Sequence, residues 1–571
     1  MSLRAIANQI ASHKGLLHLM FLVAALLSIL LIGYHYGTFD QAIHIPFLKA
    51  NANPLLYPGD EFIALRHTQF SYFWQFFQPF YRLGILEETM FAVHFLATYL
   101  TFWALWSLSM TLFGDPLVSC LTLATFIFPH IGFLGFPVIE FSLLNRTFVL
   151  PFLLFAINFY LHKRYEFAFL LLGLMINLHI LSAGMVAGML LFAGLVEARH
   201  IDYRRLCLGG GAFLLGALPL LLLGRSYTQP IDWSLRPEWL SIVARGSLGQ
   251  VYYPFAPVPF ILLTTIGGLC VLGLFYIAQR AHPPIQHDRT IYLMQAAALL
   301  IFVLGLAVSY FLPITFLAEL QLNRASFFIL IFSLLYFANY LVKESKLQYW
   351  DRGGFFLLSG VFIVSATPII PLSTWMLLRK LKPRHLSMSC VAGLILGSLG
   401  LCVFIARLWD LWQPGIHLYA ARTDWVDVQR WTSVNTSLDA TFITPPEKGG
   451  PFEPEWRVFS ERSNLASLVD LMEIALAPQY LETWLERYHL VAPGAVEKFN
   501  SDYFENRQLS NQAFYSLADQ VFFQAVCEYG ADYLVVEKPH TRGFPVIYEN
   551  QSYVVYRLAY TEACETSWMP P

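Results

Sequence analysis

The sequence predicts a mostly α-helical, polytopic membrane protein: a bundle of about 11–13 spans with a C-terminal α/β soluble domain on the non-cytoplasmic side. Three observations predict it. Hydrophobic residues make up 57% of the chain and charged residues 13%, with a mean hydropathy of +0.53, whereas a soluble domain carries about 25% charged residues. Apolar runs of span length recur between residues 16 and 406. From residue 407 to residue 571 the charges become dispersed, and short strand-like and helix-like segments replace the runs.

A span needs about 20 apolar residues, fewer where helices are broken or buried in protein. Candidate spans run near 16–34, 90–113, 117–134, 147–161, 166–180, 183–197, 206–224, 258–279, 291–312, 326–342, 354–367, 369–378 and 386–406. The first is longer than a signal-peptide core and no cleavage motif follows it, so it reads as a retained helix. Lys and Arg collect in cytoplasmic loops. With the N-terminus inside, Lys163, Arg164, Arg204, Arg205, Arg379 and Lys380 fall on the cytoplasmic side, as part of a roughly two-to-one basic excess there. Two long loops, 34–89 and 225–257, then face outward together with the tail.

In that tail, 464–489 has helical periodicity, and Ala440–Thr444 and Tyr533–Glu537 read as strands. Pro545–Tyr548 and Tyr553–Leu558 read as a hairpin. Cys527 and Cys564 either pair or stay free thiols, and none of the seven cysteines forms a metal-ligand pattern. The net charge of −2 offers no basic surface for nucleic acid, so the partner is the lipid bilayer.

The first outer loop carries the most chemistry. Asp40 and His44 stand at i, i+4, one face of a helix. Asp40 is placed to act as a general base, to hold a divalent cation (Mg or Mn) with His44, or simply to cap the helix that follows. Asp60 and Glu61, after a Tyr-Pro-Gly turn, are a second acidic pair or ordinary first-turn acids, and His67 lies on the same segment. The aromatics from Phe70 to Tyr81 suit a helix in the interface plane or a groove for a lipid chain. Glu140, Arg146, His179, Gln321 and Arg324 lie at outer ends of spans, where ionisable groups default to functional candidates. The two arginines either present a planar fork to a phosphate or pair with Glu140 and Glu319.

With Tyr36–Pro46, the Leu56-Tyr-Pro-Gly-Asp60 turn, Leu320-Gln-Leu-Asn-Arg324 and the tail motifs around Trp425–Trp431, the chain resembles the GT-C superfamily of membrane glycosyltransferases, in particular bacterial members with this layout. The resemblance implies transfer of a sugar from a polyprenyl-phosphate donor to a glycan, lipid or protein acceptor, with inversion, on the outer face of a bacterial inner membrane. It implies Asp40, or Asp60 with Glu61, as catalytic carboxylates. His44, His67, Glu140, Arg146, His179, Gln321 and Arg324 would then bind substrate. A transporter or flippase of a lipid-linked or polar substrate, and a non-catalytic membrane scaffold, are the alternatives.

Overall fold

The computed structural model describes residues 3–67, 71–130, 133, 138–197, 203–223, 231–246, 253–281, 286–344, 352–381, 386–408, 412–419, 422–449 and 453–558. Every apolar run forms a helix. Seven helices are long and apolar enough to cross a membrane: Lys14–Ile32, Leu86–Phe113, Arg204–Leu222, Val258–Arg280, Asp288–Phe311, Thr315–Glu344 and Met388–Arg407. Shorter apolar helices, Pro116–Phe126, Asn145–Leu161, Tyr165–Ile176, Ile180–Val196 and Gly353–Val364, complete the set, and the chain is an integral membrane protein. The expected run 117–134 is helical only to Phe126, because Pro129 cannot continue the ladder.

The segment from Ser326 to Glu344 is buried on nearly every side, as a helix apolar all round should be at the centre of a bundle. Around it, small residues allow close backbone approach. A Cβ on Gly173 would lie 2.2 Å from the Phe213 carbonyl oxygen, so helices Tyr165–Ile176 and Tyr203–Leu223 touch backbone to backbone there.

The expected outer loop 34–89 is largely helical, with Gln41–Ala52, Glu61–Ala64 and Tyr72–Arg82. Phe73, Trp74 and Phe77 are buried, so the aromatic helix packs one face inward while Phe76 stays exposed. The tail forms a small sheet on this platform. Strand β1 (Tyr34–His35) leaves the first span and pairs in parallel with β2 (Ile416–His417), which opens the tail. Gly33 makes this possible: its φ is +101° and a Cβ would meet the Gln413 carbonyl at 2.2 Å. The main sheet takes β3 (Thr441–Ile443), β4 (Ser463–Asn464), β5 (Tyr533–Glu537), β6 (Val546–Glu549) and β7 (Tyr553–Arg557) in the order β4-β3-β5-β7-β6. The expected hairpin is β6–β7. The expected helix 464–489 is instead split into Asp470–Ile474, a short 3₁₀ turn and Leu481–Val491, with Pro478 at the break. The expected pairing of Cys527 falls on Cys564, which lies outside the described residues.

Loop and tail are fastened by buried charge. Arg457 donates from Nε to Asp60 (2.7 Å) and from Nη1 to Glu455 and Asp470 (both 3.0 Å). Lys49 donates to Glu461 and to the Val458 carbonyl, each at 2.7 Å. From the second outer loop, the Trp239 indole donates to the Ile474 carbonyl at 2.9 Å. The first loop, the second loop and the tail therefore share one end of the bundle.

Candidate functional site

Asp40 occupies the position before helix Gln41–Ala52, yet its side chain makes no capping bond. The chain enters through Phe39 at φ 51°, a left-handed conformation uncommon for an aromatic residue. Gln41, fully buried, fixes the turn by accepting from Gly37 N–H and donating to the Leu143 carbonyl, both at 2.8 Å. A carboxylate at 41 has no hydrogen to give Leu143. The Asp40 carboxylate turns instead to Arg146, which donates from Nη1 at 2.5 Å. The same guanidinium grips Glu140 with Nε (2.6 Å) and Nη2 (2.9 Å), a bidentate fork.

Burial raises the proton affinity of Asp40, but the charges of Arg146 and Arg324 outweigh it and hold the carboxyl below its usual range. Asp40 is ionised at neutral pH. His44, one turn on, is driven down to about 4 by burial, so its imidazole is neutral. It stacks on Trp74 with ring centroids 4.7 Å apart. His179 lies within the electrostatic reach of Arg146, Arg324, His44 and Asp40. Its Nδ1 caps the following helix by accepting from Ser182 N–H at 3.2 Å. Asn177 pins this corner, donating to the Gly216 carbonyl and accepting from Leu220 N–H, both at 2.8 Å.

A cleft of about 840 Å³, open mouth included, begins at this cluster. Its polar end is lined by Glu140, Arg146, His179, Ser182, Arg324 and Ser326, and its walls by Phe133, Leu150, Leu153, Met185, Phe328 and Leu330. Helices Asn145–Leu161, Ile180–Val196 and Ser326–Glu344 each place their first turn on it. A helix start carries about half a positive charge from its aligned peptides. Two of these, at Asn145 and Ile180, are true helix starts, and with Arg324 beside the Arg146–Glu140–Asp40 group they stand at one end of an apolar trough, which suits an anion joined to a greasy chain.

The remaining candidates lie elsewhere. Asp60 is 5% exposed, and its oxygens accept from Arg457, Phe62 N–H, Ile63 N–H and Asn464 N–H. Glu61 has a side chain 54% exposed that faces Arg487 at 3.9 Å. Gln321 does not line the cleft. At φ 46° it shapes the turn, and its carbonyl accepts from Arg324 N–H at 2.9 Å. His67 lines a second cavity with His44. Asp40 meets Arg146 through Oδ2, so a cation there would share the carboxylate with a guanidinium. Among the described residues, no group of three or more His, Cys, Asp or Glu is placed to hold a metal ion. No step below runs through one.

Sequence reading passes over Glu473. It is 1% exposed, on helix Asp470–Ile474 of the tail, and its Oε1 has no hydrogen-bond partner among the described residues. Burial first, and then the negative charge of Asp40, push its carboxyl well above the usual range. Its one legible signal is the i, i+3 pair Asp470/Glu473 in an apolar stretch. The result is a neutral acid within electrostatic range of an ionised one, the division of roles that acid–base sites use. Unfolded, Glu473 loses its proton near pH 4.3 (about the model-peptide value); folded, it keeps it to higher pH, so stability falls as pH rises between those values. Glu473→Gln should remove this loss, and its gain in melting temperature over wild type should be larger at pH 8 than at pH 5. Equal pH dependence of the two proteins would exclude the coupling.

Among known proteins, no family model matches the chain and no curated sequence matches it. Solved structures that align with the chain include two. ArnT from Cupriavidus metallidurans, bound to undecaprenyl phosphate, aligns at a TM-score of 0.49 and 12% identity over 96% of this chain and 98% of its own. The Archaeoglobus fulgidus oligosaccharyltransferase, tethered to an acceptor peptide, aligns at 0.38 and 13% identity over 92% of this chain and 69% of its own.

Proposed function

We propose that the chain is a membrane glycosyltransferase of the GT-C type, taking a sugar from a polyprenyl-phosphate donor and passing it to a hydroxyl acceptor. One observation carries the reading: a cleft with arginines and helix starts at one end and an apolar trough behind them, and with the Asp40 carboxylate bonded to its lining residue Arg146. The donor's phosphate sits at Arg324 and the helix starts, and its isoprenoid chain lies along Leu150, Leu153, Met185 and Phe328. The acceptor oxygen attacks the anomeric carbon, and the bond from that carbon to the phosphate oxygen breaks. The acceptor's proton passes to Asp40, and polyprenyl phosphate leaves with the bonding electrons. Attack from the face opposite the phosphate inverts the centre.

A carboxylate held this acidic is a weak base. That suits a loose transition state, because positive charge on the sugar carbon acidifies the incoming hydroxyl as its bond forms. Charge appearing on the departing phosphate meets groups already in place, so little reorganisation is needed. The Lys and Arg bias of the loops supports a cytoplasmic N-terminus and an outward tail, in a bacterial inner membrane, with a glycan, lipid or protein as acceptor.

Arg324→Ala tests the reading. A charge-assisted bond to phosphate contributes about 1.5–3 kcal/mol, so affinity for a polyprenyl-phosphate sugar should fall about 10–100-fold while the amount of membrane-inserted protein stays near wild type. An equal loss of inserted protein would mark Arg324 as structural. Unchanged affinity would remove the phosphate from this end of the cleft.

A further inference from the structure

In the second long loop, residues 231–236 run antiparallel to 313–316 and form a short ribbon. Leu235 and Ile314 are bridge partners, with Arg236 N–H donating to the Pro313 carbonyl at 3.1 Å and Thr315 N–H to the Ser234 carbonyl at 3.0 Å. Phe316 N–H adds a bond to the Asp232 carbonyl at 2.9 Å. Helix Pro237–Gly246 follows at once, and its Trp239 is bonded to the tail, so the ribbon stands at the tail end of the bundle. Successive side chains in such a ribbon point to opposite faces. Asp232, Ser234 and Arg236 take one face, and Ile231, Trp233 and Leu235 the other.

The two faces are treated oppositely to those of a water-exposed ribbon. The polar one is satisfied within the protein. The Ser234 hydroxyl lies 3.5 Å from that of Thr315, a fully buried residue, and Arg236 donates to Asp232 at 3.1 Å, so the two charges cancel. The apolar one is left open: Trp233 is 61% and Leu235 62% exposed, and Ile231 is exposed beside them. The Trp233 ring packs against Phe316 across the ribbon, with centroids 5.2 Å apart, which extends the same apolar face. Apolar side chains gathered on one open face mark a surface that something apolar covers.

Its neighbours say what covers it. The strand 313–316 leads directly out of helix Asp288–Phe311, one of the helices long and apolar enough to cross a membrane. Tyr310, Phe311 and Leu312, at the end of that helix, are exposed as the ribbon is. The lipid-facing surface of the span therefore continues along the chain onto the ribbon. Trp and Tyr collect where a span meets the headgroups, and Trp233 and Tyr310 stand at that level. A charge pair closed on itself beside them keeps the cost of lipid contact low.

We infer that the ribbon is seated in the bilayer, in the leaflet nearer the tail, with Ile231, Trp233 and Leu235 against phospholipid acyl chains and glycerol groups. The second long loop is then an interfacial element and not a free loop in water. The inference goes beyond the glycosyltransferase reading and does not depend on it. It gives that loop a lipid partner, and the inner edge of the seat is built onto the stretch that runs through helix Thr315–Glu319 to Arg324.

The test places p-benzoylphenylalanine, one position at a time, at Ile231, Trp233 and Leu235 of the full chain in phosphatidylethanolamine–phosphatidylglycerol nanodiscs. Val434, an equally open apolar residue of the tail, serves as the control position. After irradiation, peptides are mapped by mass spectrometry. Each of the three ribbon positions should gain the mass of one phospholipid, and the Val434 position should not. Because all three side chains are exposed, each replacement is tolerated by the fold, and any one of them reports on its own. Absence of a phospholipid adduct at all three positions overturns the inference. So does cross-linking to a second copy of the chain in place of lipid, and so does equal lipid labelling at Val434.

Discussion

Asp40→Asn should lower turnover by about 10²–10⁴-fold, the range that loss of a positioned general base produces. The amide keeps the shape of the carboxylate and still accepts from Arg146, so the fold around Phe39 and Gln41 is preserved. What disappears is the ability to take the acceptor's proton. Because the base is missing only in the transition state, the fall should appear in kcat with little change in donor affinity. A second feature separates this from a packing defect. Arg146 and Arg324 hold Asp40 ionised below the usual carboxylate range, so wild-type activity should show no loss from protonation of this base on the acid side until the pH falls below that range. Turnover by Asp40→Asn within a few-fold of wild type would remove Asp40 from the chemistry.

The second large effect is on folding. Arg457 is fully buried among three carboxylates, with its guanidinium 4.5 Å from the Phe62 ring. Arg457→Met leaves Asp60, Glu455 and Asp470 without their cation, and removing one partner from such a cluster destabilises by about 3–5 kcal/mol. The tail should then detach from the loop platform and become open to protease, with the bundle still inserted. Asp60→Asn keeps the helix cap and loses part of the ion pairing, a loss of about 1–3 kcal/mol, with turnover per folded molecule near wild type. That outcome, set beside Asp40→Asn, separates the two carboxylates. Burial pushes Glu455 up from the ordinary carboxyl range to about 7, so between the two the folded protein keeps a proton the unfolded chain has lost. Stability declines through that window, and Glu455→Gln should flatten the decline. A resistant tail in Arg457→Met would contradict the role given to the cluster.

The span pattern was legible because lipid imposes it: a helix crossing hydrocarbon must be apolar over a fixed length, and that constraint is local. The β6–β7 hairpin was local as well. Roles were less legible. Whether Asp40 caps its helix or pairs outward depends on Arg146, 106 positions away. Asp60 stood as a second candidate behind Asp40, and its partner Arg457, 397 positions distant, was not in view. Glu473 went unmarked because its apolar neighbours read as a core helix, and only the docking of that helix near Asp40 makes its carboxyl unusual. The role of Gln41 was hidden as well. Its reason, the donation to the Leu143 carbonyl, is a long-range one.

A polyprenyl phosphate with a photoreactive group in its first isoprene unit, cross-linked to the full chain in nanodiscs and mapped by mass spectrometry, tests the cleft most directly. The label should fall on helices Asn145–Leu161, Ile180–Val196 and Ser326–Glu344, and excess unlabelled undecaprenyl phosphate should suppress it. Labelling confined to the lipid-exposed helix Met388–Leu408, or unaffected by the competitor, would contradict a lipid-phosphate site at Arg324 and Asp40.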